Sequence, residues 1–293
     1  MQTIVTHSGS FDPDDVLAVA AVSIYLGKDN FEIIRSRDMD VIDKADWVVD
    51  VGGKYDPERL RFDHHQNGVP KRDNGVPYSA FGLVWIEIGE RLCGSSLIAG
   101  QIDRKLVQPI DAADNQIQVC CECVHGLDSF EFFDVINAYK PVWGSEEDFD
   151  TGFNRAVSFA RKLLKRMIVQ GQGEEDMRKL ISSTYEAALD KSILVFDQPV
   201  VRNVVAEFKE VKVIVLPAHG PDNINWTAVV IPKKNGSLNN KALFPETWAG
   251  LSDDDLTRVS GIEEAVFCHK ERYIFVAKTK EAARKAASAI VSN

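Results

Sequence analysis

The residues best suited to chemistry are histidines and aspartates grouped near the start of the chain. His7 lies shortly before Asp14, Asp50 ends an apolar run, and Asp63-His64-His65 follows soon after. Imidazole and carboxylate ligands without a thiolate suit Mn²⁺, Mg²⁺ or Zn²⁺. Two such ions side by side neutralise a phosphate and activate a bridging water, with no need for a nucleophilic serine or cysteine. The residue types therefore predict metal-assisted hydrolysis of a phosphate ester.

Each of these residues also has a purely structural interpretation. The aspartates at 12, 14 and 15 suit the first turn of a helix, and for Asp12, which precedes Pro13, the cap and the ligand are equally open. His7 alone suits a core position, and Asp50 suits a turn before two glycines. Taken singly, each residue favours the structural interpretation, but their grouping in one region favours a site. His65 stays open between a ligand and a group that contacts the phosphate or protonates the leaving group.

Strands alternating with helices are expected to position these side chains. Apolar runs predict strands at 2–6, 31–35 and 46–51, and a helix from Pro13 to about Leu26 separates the first two. Further helices are predicted at 38–45, 79–92, 96–107, 130–138, 149–169 and 174–190. Strands joined by helices run parallel, and open parallel sheets bind ligands at the carboxyl ends of their strands. His7 and Asp50 both follow such ends.

The pattern changes after Lys191 to short β-rich runs. Strands are predicted at 193–196, 211–217, 226–232, 265–269 and 272–277, and Thr279 is a suitable cap for a last helix that ends near Ile290. The predicted fold class is α/β. A parallel-sheet catalytic domain with a helical tail occupies residues 1–190, and a smaller mixed-sheet α+β domain that binds substrate occupies residues 191–293.

Composition limits the partners. The 293 residues are 45% hydrophobic and 27% charged, as in ordinary globular proteins, and no apolar stretch is long enough for a membrane span. The first residues resemble no targeting segment, so a cytoplasmic protein is expected. Five cysteines favour reduced thiols, and the Cys120-Cys121-Cys123 cluster lacks the second pair that a structural zinc site needs.

The charge is unevenly distributed along the chain. The net charge is −10, yet residues 1–150 carry 27 acidic and 13 basic residues while the remainder carries 17 and 21. An uneven surface is the simpler explanation. The alternative places cation ligands in the acidic half and a phosphate-binding surface, with Arg272 and Lys278, in the other half. For each of those two cations, a solvated surface position is also open.

Several runs of the sequence resemble one family. THSGSFDPDD, RSRD, VVDVGGKYDPERLRFDHHQ, YSAFGLVW and IDAADN near the start, with FPETWAGL and VSGIEEAVFCH near the end, are similar to the melanocyte proliferating gene 1 family. That family, often labelled metal-dependent protein hydrolase, belongs with the DHH phosphoesterases, which include RecJ-type exonucleases and manganese-dependent pyrophosphatases. The resemblance covers nearly the whole chain, and its Asp-His-His run is specific.

The resemblance implies a site with two divalent ions, Mn²⁺ in the first place and Mg²⁺ as the alternative. The matching ligands are His7, Asp14, Asp50 and His64, with Asp50 as the bridge between the ions. A further aspartate is implied, Asp114 as first choice and Asp111 as second. Two residues depart from the family pattern. Relatives have histidine where Asp12 stands and glycine where Gln116 stands, which leaves the ligand role of Asp12 open.

The resemblance also implies an activity, 3′-to-5′ exonucleolytic hydrolysis of RNA or short single-stranded nucleic acid. Hydrolysis of a small nucleotide or phosphoanhydride is the alternative among enzymes. A metal-binding protein without catalysis is the alternative from another class, and it is motivated by Asp12 and Gln116. The expected partner is a phosphate ester such as an oligonucleotide, no membrane partner is expected, and a homo-oligomer is compatible with the sequence.

Overall fold

The computed structural model describes residues 1–118, 129–218, 225–234, 237 and 239–291. The cysteine cluster at 120–123 lies outside these residues. Cys93 and Cys268 are buried free thiols. Among the described helices, none combines the length and the apolar character that crossing a bilayer requires.

The chain forms two compact units, Met1–Gly173 and Glu174–Asn293. The sequence places the division after residue 190, whereas the division between these units falls at residues 173 and 174. A division of labour between a catalytic and a substrate-binding domain stays a prediction.

The first unit is built on a five-stranded sheet. Its strands are β1 (Gln2–Thr6), β2 (Phe31–Arg35), β3 (Trp47–Val49), β4 (Tyr55–Asp56) and β5 (Arg61–Phe62). The order is β2-β1-β3-β5-β4, and all pairs are parallel except β4 with β5. The strands predicted at 2–6 and 31–35 form as expected. The last two strands have two residues each, too few for a hydrophobic period to be visible in the sequence.

Helices surround this sheet. They are α1 (Pro13–Leu26), α2 (Met39–Lys44), α3 (Ala80–Cys93), α4 (Ser96–Ile102), α5 (Gln108–Asp114), α6 (Phe132–Asn137) and α7 (Phe149–Ala187), with a π-helical segment, Asp103–Val107, between α4 and α5. Helix α1 is buried from Pro13 to Ser23. Because it packs within the core on all sides, it shows almost no amphipathic pattern, and it carries the site's acidic residues into the interior.

Helix α7 contradicts the prediction of two helices at 149–169 and 174–190, because one continuous helix spans both segments. Gly171 and Gly173 lie between the two predicted segments, and glycine disfavours a helix interior. A Cβ at Gly171 would lie 2.5 Å from Cγ2 of Ile98, so glycine is the residue that allows this close approach.

The second unit contains a mixed sheet. Its strands are β6 (Ile193–Val195), β7 (Val213–Pro217), β8 (Trp226–Val230), β9 (Ala265–Cys268) and β10 (Ile274–Ala277), in the order β6-β7-β8-β10-β9, and its helices are α8 (Arg202–Val205), α9 (Asp253–Ser260) and α10 (Lys280–Val291). Only the β6–β7 pair is parallel. Helix α10 packs its alanine-rich face on one side of the sheet. Oγ1 of Thr279 accepts a hydrogen bond from the Ala282 N–H, consistent with the predicted cap.

Candidate metal centre

Three parallel strands end side by side at the site. His7 follows β1, Asp50 follows β3, and the Asp63-His64-His65 run follows β5, while the order β1-β3-β5 makes these strands neighbours. A polar cavity of about 300 Å³ opens there. It is lined by His7, Asp12, Arg37, Asp50, Val51, Gly52, Gly53, Asp63, His64, His65, Gln66 and Asp114.

His7 contacts two buried carboxylates. Its Nε2 lies 3.2 Å from Oδ2 of Asp15 and 3.3 Å from Oδ2 of Asp50. These three side chains place one ligand atom each close enough to share an ion.

His64 contacts a second set of carboxylates. Its Nε2 lies 3.6 Å from Oδ2 of Asp14 and 3.4 Å from Oδ2 of Asp114. It also lies 3.3 Å from Oδ1 of Asp50. Oδ2 of Asp50 therefore contacts His7, while Oδ1 contacts His64 and lies 3.4 Å from Nδ1 of His65, so the two oxygens face different histidines, an arrangement suited to bridging two ions.

The backbone of Asp50 has an uncommon conformation. Its φ is +56°, in the left-handed region that aspartate tolerates better than most residues. The Asp50 N–H donates to the carbonyl oxygen of Phe62, which fixes this turn to the neighbouring strand β5. Such conformations cluster at functional sites, where surrounding structure holds them.

Asp14 is completely buried and held by the start of another helix. Its Oδ2 and Oδ1 accept hydrogen bonds from the N–H groups of Ala80 and Phe81, at 3.0 and 2.6 Å. These N–H groups belong to the first turn of α3, where the helix dipole favours a negative charge. Asp14 therefore has a fixed orientation, with Oδ2 also directed to His64.

Asp15 was interpreted from the sequence as a helix-capping acid and not as a ligand. It does complete a capping box, because its Oδ1 accepts from the N–H of Asp12. Its Oδ2, however, is buried beside His7. The signal in the sequence is that the helix after Asp15 is apolar on all sides, so an acid in its first turn has to be buried.

Asp12 lines the cavity and caps α1. Its Oδ1 accepts from the Asp14 N–H at 2.9 Å. It belongs to none of the three groups of described residues whose ligand atoms converge. The cap is thus formed, while the ligand role stays a prediction.

Asp111 and Asp114 lie one helical turn apart but have different surroundings. Asp111 is buried against Arg72, whose guanidinium contacts its Oδ2 at 2.6 Å, and it accepts from the hydroxyl of Ser79 at 2.7 Å. Asp114 faces His64. Asp114 therefore lies with the histidine-facing carboxylates and Asp111 has a structural set of partners, while the choice of Asp114 as the ligand stays a prediction.

His65 stands at the mouth of the cavity and is paired with Asp63. Its Nδ1 lies 2.7 Å from Oδ1 of Asp63, and this hydrogen bond raises the pKa of His65 to about 9. Burial opposes ionisation of Asp63, but hydrogen bonds from His65 and from the Gly53 N–H lower its pKa to about 2. His65 is therefore a charged, partly exposed imidazole that can contact a phosphate or supply a proton.

The carboxylates crowd one another. Burial raises the pKa of Asp14 well above its usual range, and the nearby charges of Asp50 and Asp114 add to the effect. Burial likewise raises the pKa of Asp114 to about 6. Crowded buried carboxylates are relieved by a cation, since binding it favours their charged form.

The donor set fits divalent ions of the Mn²⁺ or Mg²⁺ type. Two buried oxygens, Oδ2 of Asp15 and Oδ1 of Asp50, accept no hydrogen bond from the described residues, although each lies 3.2 or 3.3 Å from an imidazole nitrogen. A divalent cation held between such an oxygen and a neutral imidazole nitrogen would coordinate both acceptors at once. Oxygen and imidazole donors without a thiolate match the ligand preferences of these ions.

Arg37 lines the cavity and was missed as a site residue. It is exposed, and its one hydrogen bond to the described residues is a long one, from Nε to the Ser8 carbonyl oxygen at 3.4 Å. None of the other lining residues is a lysine or an arginine, and several of them are acids. The signal in the sequence is its position within the RSRD run, two residues after the end of strand β2.

Arg272 and Lys278 lie in the second unit. Arg272 is half-buried, and its Nη1 donates to the carbonyl oxygen of Phe244 at 3.4 Å, whereas Lys278 is exposed. Their role in binding substrate stays a prediction.

Comparison with known proteins gives a family for the whole chain. The MYG1 exonuclease family model, described as an uncharacterised protein family (UPF0160), matches residues 3–291. A MYG1 protein of Chlamydia pneumoniae is 31% identical, covering 97% of this chain and 95% of that protein. The MYG1 exonucleases of Rattus norvegicus and Homo sapiens are 27% and 28% identical, and each comparison covers 99% of this chain and 84% or 85% of the relative.

Solved structures are more distant. A pGpG-specific phosphodiesterase, PggH, from Vibrio cholerae is 12% identical with a TM-score of 0.34, covering 100% of this chain and 98% of that chain. RecJ of Thermus thermophilus, solved with Mg²⁺, is also 12% identical, with a TM-score of 0.27 over 98% of this chain and 49% of RecJ. At these scores neither structure supports a conclusion about this chain.

Proposed function

Because this chain belongs to the MYG1 exonuclease family (UPF0160), we propose that it is a metal-dependent phosphoesterase that removes nucleotides from the 3′ end of RNA or short single strands. The relatives named MYG1 exonuclease support a hydrolase of the nuclease type. The 3′-to-5′ direction, the RNA substrate and Mn²⁺ as the ion are parts of the proposal.

The observation that carries the proposal is the position of Asp50 between two histidines. One oxygen faces His7 and the other faces His64, and each histidine has further buried carboxylates beside it. A bridging carboxylate with an imidazole at each end is what a pair of divalent ions needs. Paired ions are common in enzymes that hydrolyse phosphodiesters.

The residues divide into two ligand groups. His7, Asp15 and Asp50 would hold one ion, and Asp14, Asp50, His64 and Asp114 would hold the other. The ions would neutralise the phosphate and lower the pKa of the attacking water. The chain keeps these ligands rigid, because Asp14 is tied to α3 and Asp15 to the capping box of α1.

Two cationic side chains at the cavity have complementary roles. Arg37 would hold a non-bridging oxygen of the phosphate, since guanidinium groups match phosphate geometry. His65, kept protonated by Asp63, would donate a proton to the departing oxygen. Its general-acid role needs a partly exposed imidazole within reach of the phosphate, and its position at the cavity mouth supports this.

A substrate screen tests the proposed function. Purified protein with Mn²⁺ is given RNA oligomers labelled at either end, DNA oligomers of the same length, mononucleotides and pyrophosphate, and each reaction is repeated with excess chelator. Stepwise shortening of RNA from its 3′ end that the chelator abolishes is expected. Turnover in chelator, shortening from the 5′ end, or no phosphodiester turnover at all would contradict the proposal.

Hydrolysis of small nucleotides is a second candidate. Residues 1–173 carry 27 acidic and 18 basic residues, a net charge of −9, which repels long polyanions. In the same screen, faster turnover of mononucleotides or pyrophosphate than of every oligomer would favour this candidate.

A further inference from the structure

The second unit contains a cavity of about 400 Å³ that lies against its sheet. Six of its lining residues point from one face of three neighbouring strands: Ile214, Leu216, Thr227, Val229, Ile274 and Val276. In the strand register, Leu216 lies opposite Thr227 and Thr227 lies opposite Val276. These side chains therefore form a continuous, largely apolar floor.

The two faces of this sheet are covered differently. The face that carries Val215, Ala228 and Phe275 packs against α10 in a dry core. On the cavity face, Ile214 and Leu216 are buried, but Val229, Ile274 and Val276 stay half-buried. A concave, apolar and incompletely covered surface is the usual form of a small-molecule site.

Arg202 lies at the wall of this cavity. Its Nη1 is shielded from solvent and donates no hydrogen bond, and no acid among the described residues forms an ion pair with it. The guanidinium lies 5.3 Å from the ring centre of Tyr273. A shielded guanidinium nitrogen without an acceptor is costly, so an anion supplied by a ligand would offset that cost.

We propose that this cavity binds a nucleoside monophosphate, with the phosphate on Arg202 and the nucleoside on the apolar floor. The choice of ligand rests on the proposed function, since exonucleolytic hydrolysis releases nucleoside monophosphates. Oγ1 of Thr227 donates to the Leu216 carbonyl oxygen at 3.2 Å, which leaves its lone pairs free to accept from a base N–H. The ligand's flat apolar body and single anionic group match the floor and the arginine.

A second class of compound could also fit an apolar floor beside an arginine. A short-chain fatty carboxylate, like a nucleoside monophosphate, joins an apolar body to one anionic group. It lacks a base that can donate to Thr227, and its carboxylate offers fewer oxygens to a guanidinium than a phosphate does. Binding of both compounds, measured separately, distinguishes the sources.

Calorimetric titration of the full chain with cytidine or adenosine monophosphate, and with hexanoate, tests the inference. Arg202→Gln is expected to weaken nucleotide binding by at least ~10-fold, the size of a lost charged hydrogen bond. Arg284→Gln is the matched control, because Arg284 is an exposed arginine of the same unit outside this cavity. Asp50→Asn, at the metal centre, is expected to leave this binding unchanged.

Each remaining outcome has a defined meaning. Nucleotide binding that is absent, or that is equally weakened in Arg284→Gln, or that is lost in Asp50→Asn and kept in Arg202→Gln, overturns the inference. Hexanoate binding that needs Arg202, without nucleotide binding, overturns the choice of ligand. If Arg202→Gln fails to fold by circular dichroism, Arg202→Lys replaces it, with weaker binding than the parent expected and equal binding contradictory.

The inference and the proposed function fail separately. If the protein hydrolyses RNA but Arg202→Gln does not weaken nucleotide binding, only the inference about the cavity is overturned. Nucleotide binding that depends on Arg202 without any hydrolysis overturns only the exonuclease.

Discussion

Asp50 is the residue on which both ligand groups depend. It has one oxygen toward His7 and one toward His64, and its positive φ restricts which residues can replace it. Asparagine adopts this backbone region readily and keeps the size of the side chain, so it removes the charge without a backbone change.

Asp50→Asn is therefore expected to lower metal content and to reduce turnover by more than ~100-fold, because a ligand contributes at least as much as the outer residues that support it. Metal content by atomic emission and rates on RNA oligomers measure this. Asp73→Asn, at an exposed aspartate outside the cavity, makes the same charge change as a control. Full metal and full rate in Asp50→Asn would remove the bridge from the mechanism.

Substitutions of Asp12 distinguish a helix-capping role from a metal-binding role. Serine keeps an oxygen that can accept from the Asp14 N–H but removes a carboxylate from the cavity. For a residue that only caps, Asp12→Ser should leave metal affinity unchanged and alter the free energy of unfolding by under ~0.5 kcal/mol, and this is the result we expect. Asp12→Ala should cost about 1 kcal/mol. A metal affinity at least ~10-fold weaker in Asp12→Ser would identify a ligand.

At the scale of elements, the two glycines of α7 have opposite roles. A Cβ at Gly171 would meet Ile98, whereas a Cβ at Gly173 would meet nothing within 4 Å. Close packing against Ile98 explains glycine at position 171, whereas no packing contact explains glycine at position 173. They form a natural pair for comparison.

Gly173→Ala is expected to stabilise the protein by about 0.5 to 1 kcal/mol, since alanine has the higher helix propensity. Gly171→Ala gains the same propensity but overpacks Ile98, and a net loss of about 1 to 2 kcal/mol is expected. Chemical denaturation of both variants measures the difference. Equal stabilisation by both substitutions would show that the contact with Ile98 yields at little cost.

The sequence predicts the elements that have a strong local pattern. The strands at 2–6 and 31–35 and the helix from Pro13 to Leu26 form with the expected bounds. Strands β4 and β5 are too short to show a period, and Gly171 of α7 packs closely against Ile98, which lies far away in the sequence. Tertiary contacts of this kind override local propensity.

The same division applies to the site. His7, Asp14, Asp50, His64 and Asp114 were named from strand ends and family resemblance, and the structure brings them together. Asp15 and Arg37 were not named, because their importance depends on which side of a helix or loop faces the cavity. The sequence shows which residues follow a strand, but only the folded chain shows which side chains face the cavity.

At the scale of the molecule, the net charges of the two structural units differ from the net charges of residues 1–150 and 151–293. Residues 174–293 carry 17 acidic and 16 basic residues, a net charge of −1. The positive balance counted from residue 151 comes from residues 151–173 of α7, which include five basic and no acidic residues and belong to the first unit. Net charge therefore does not favour phosphate binding by the second unit, and any such role of Arg272 and Lys278 has to be local.

The double variant Arg272→Gln, Lys278→Gln tests that local role. If both side chains contact substrate phosphates, the KM for an oligonucleotide rises, the slope of log KM against log salt falls by about 1 to 2, and metal content stays intact. Lys162→Gln with Lys165→Gln removes two charges from α7 and serves as the control, with little change expected. If the slope of log KM against log salt is similar in both double variants, the effect comes from the overall charge of the protein and not from contacts of Arg272 and Lys278 with the substrate.

The acids of the candidate metal centre are also the acceptors that order two helix starts. Asp14 accepts from the N–H groups of Ala80 and Phe81, and Asp15 accepts from those of Asp12 and Val16. Ion binding and the closing of these first turns are thus thermodynamically linked. The amide protons of these four residues should exchange with solvent more slowly when the site is filled. The chain carries, in its own backbone, a reporter of ion occupancy that can be read by deuterium labelling without any substrate.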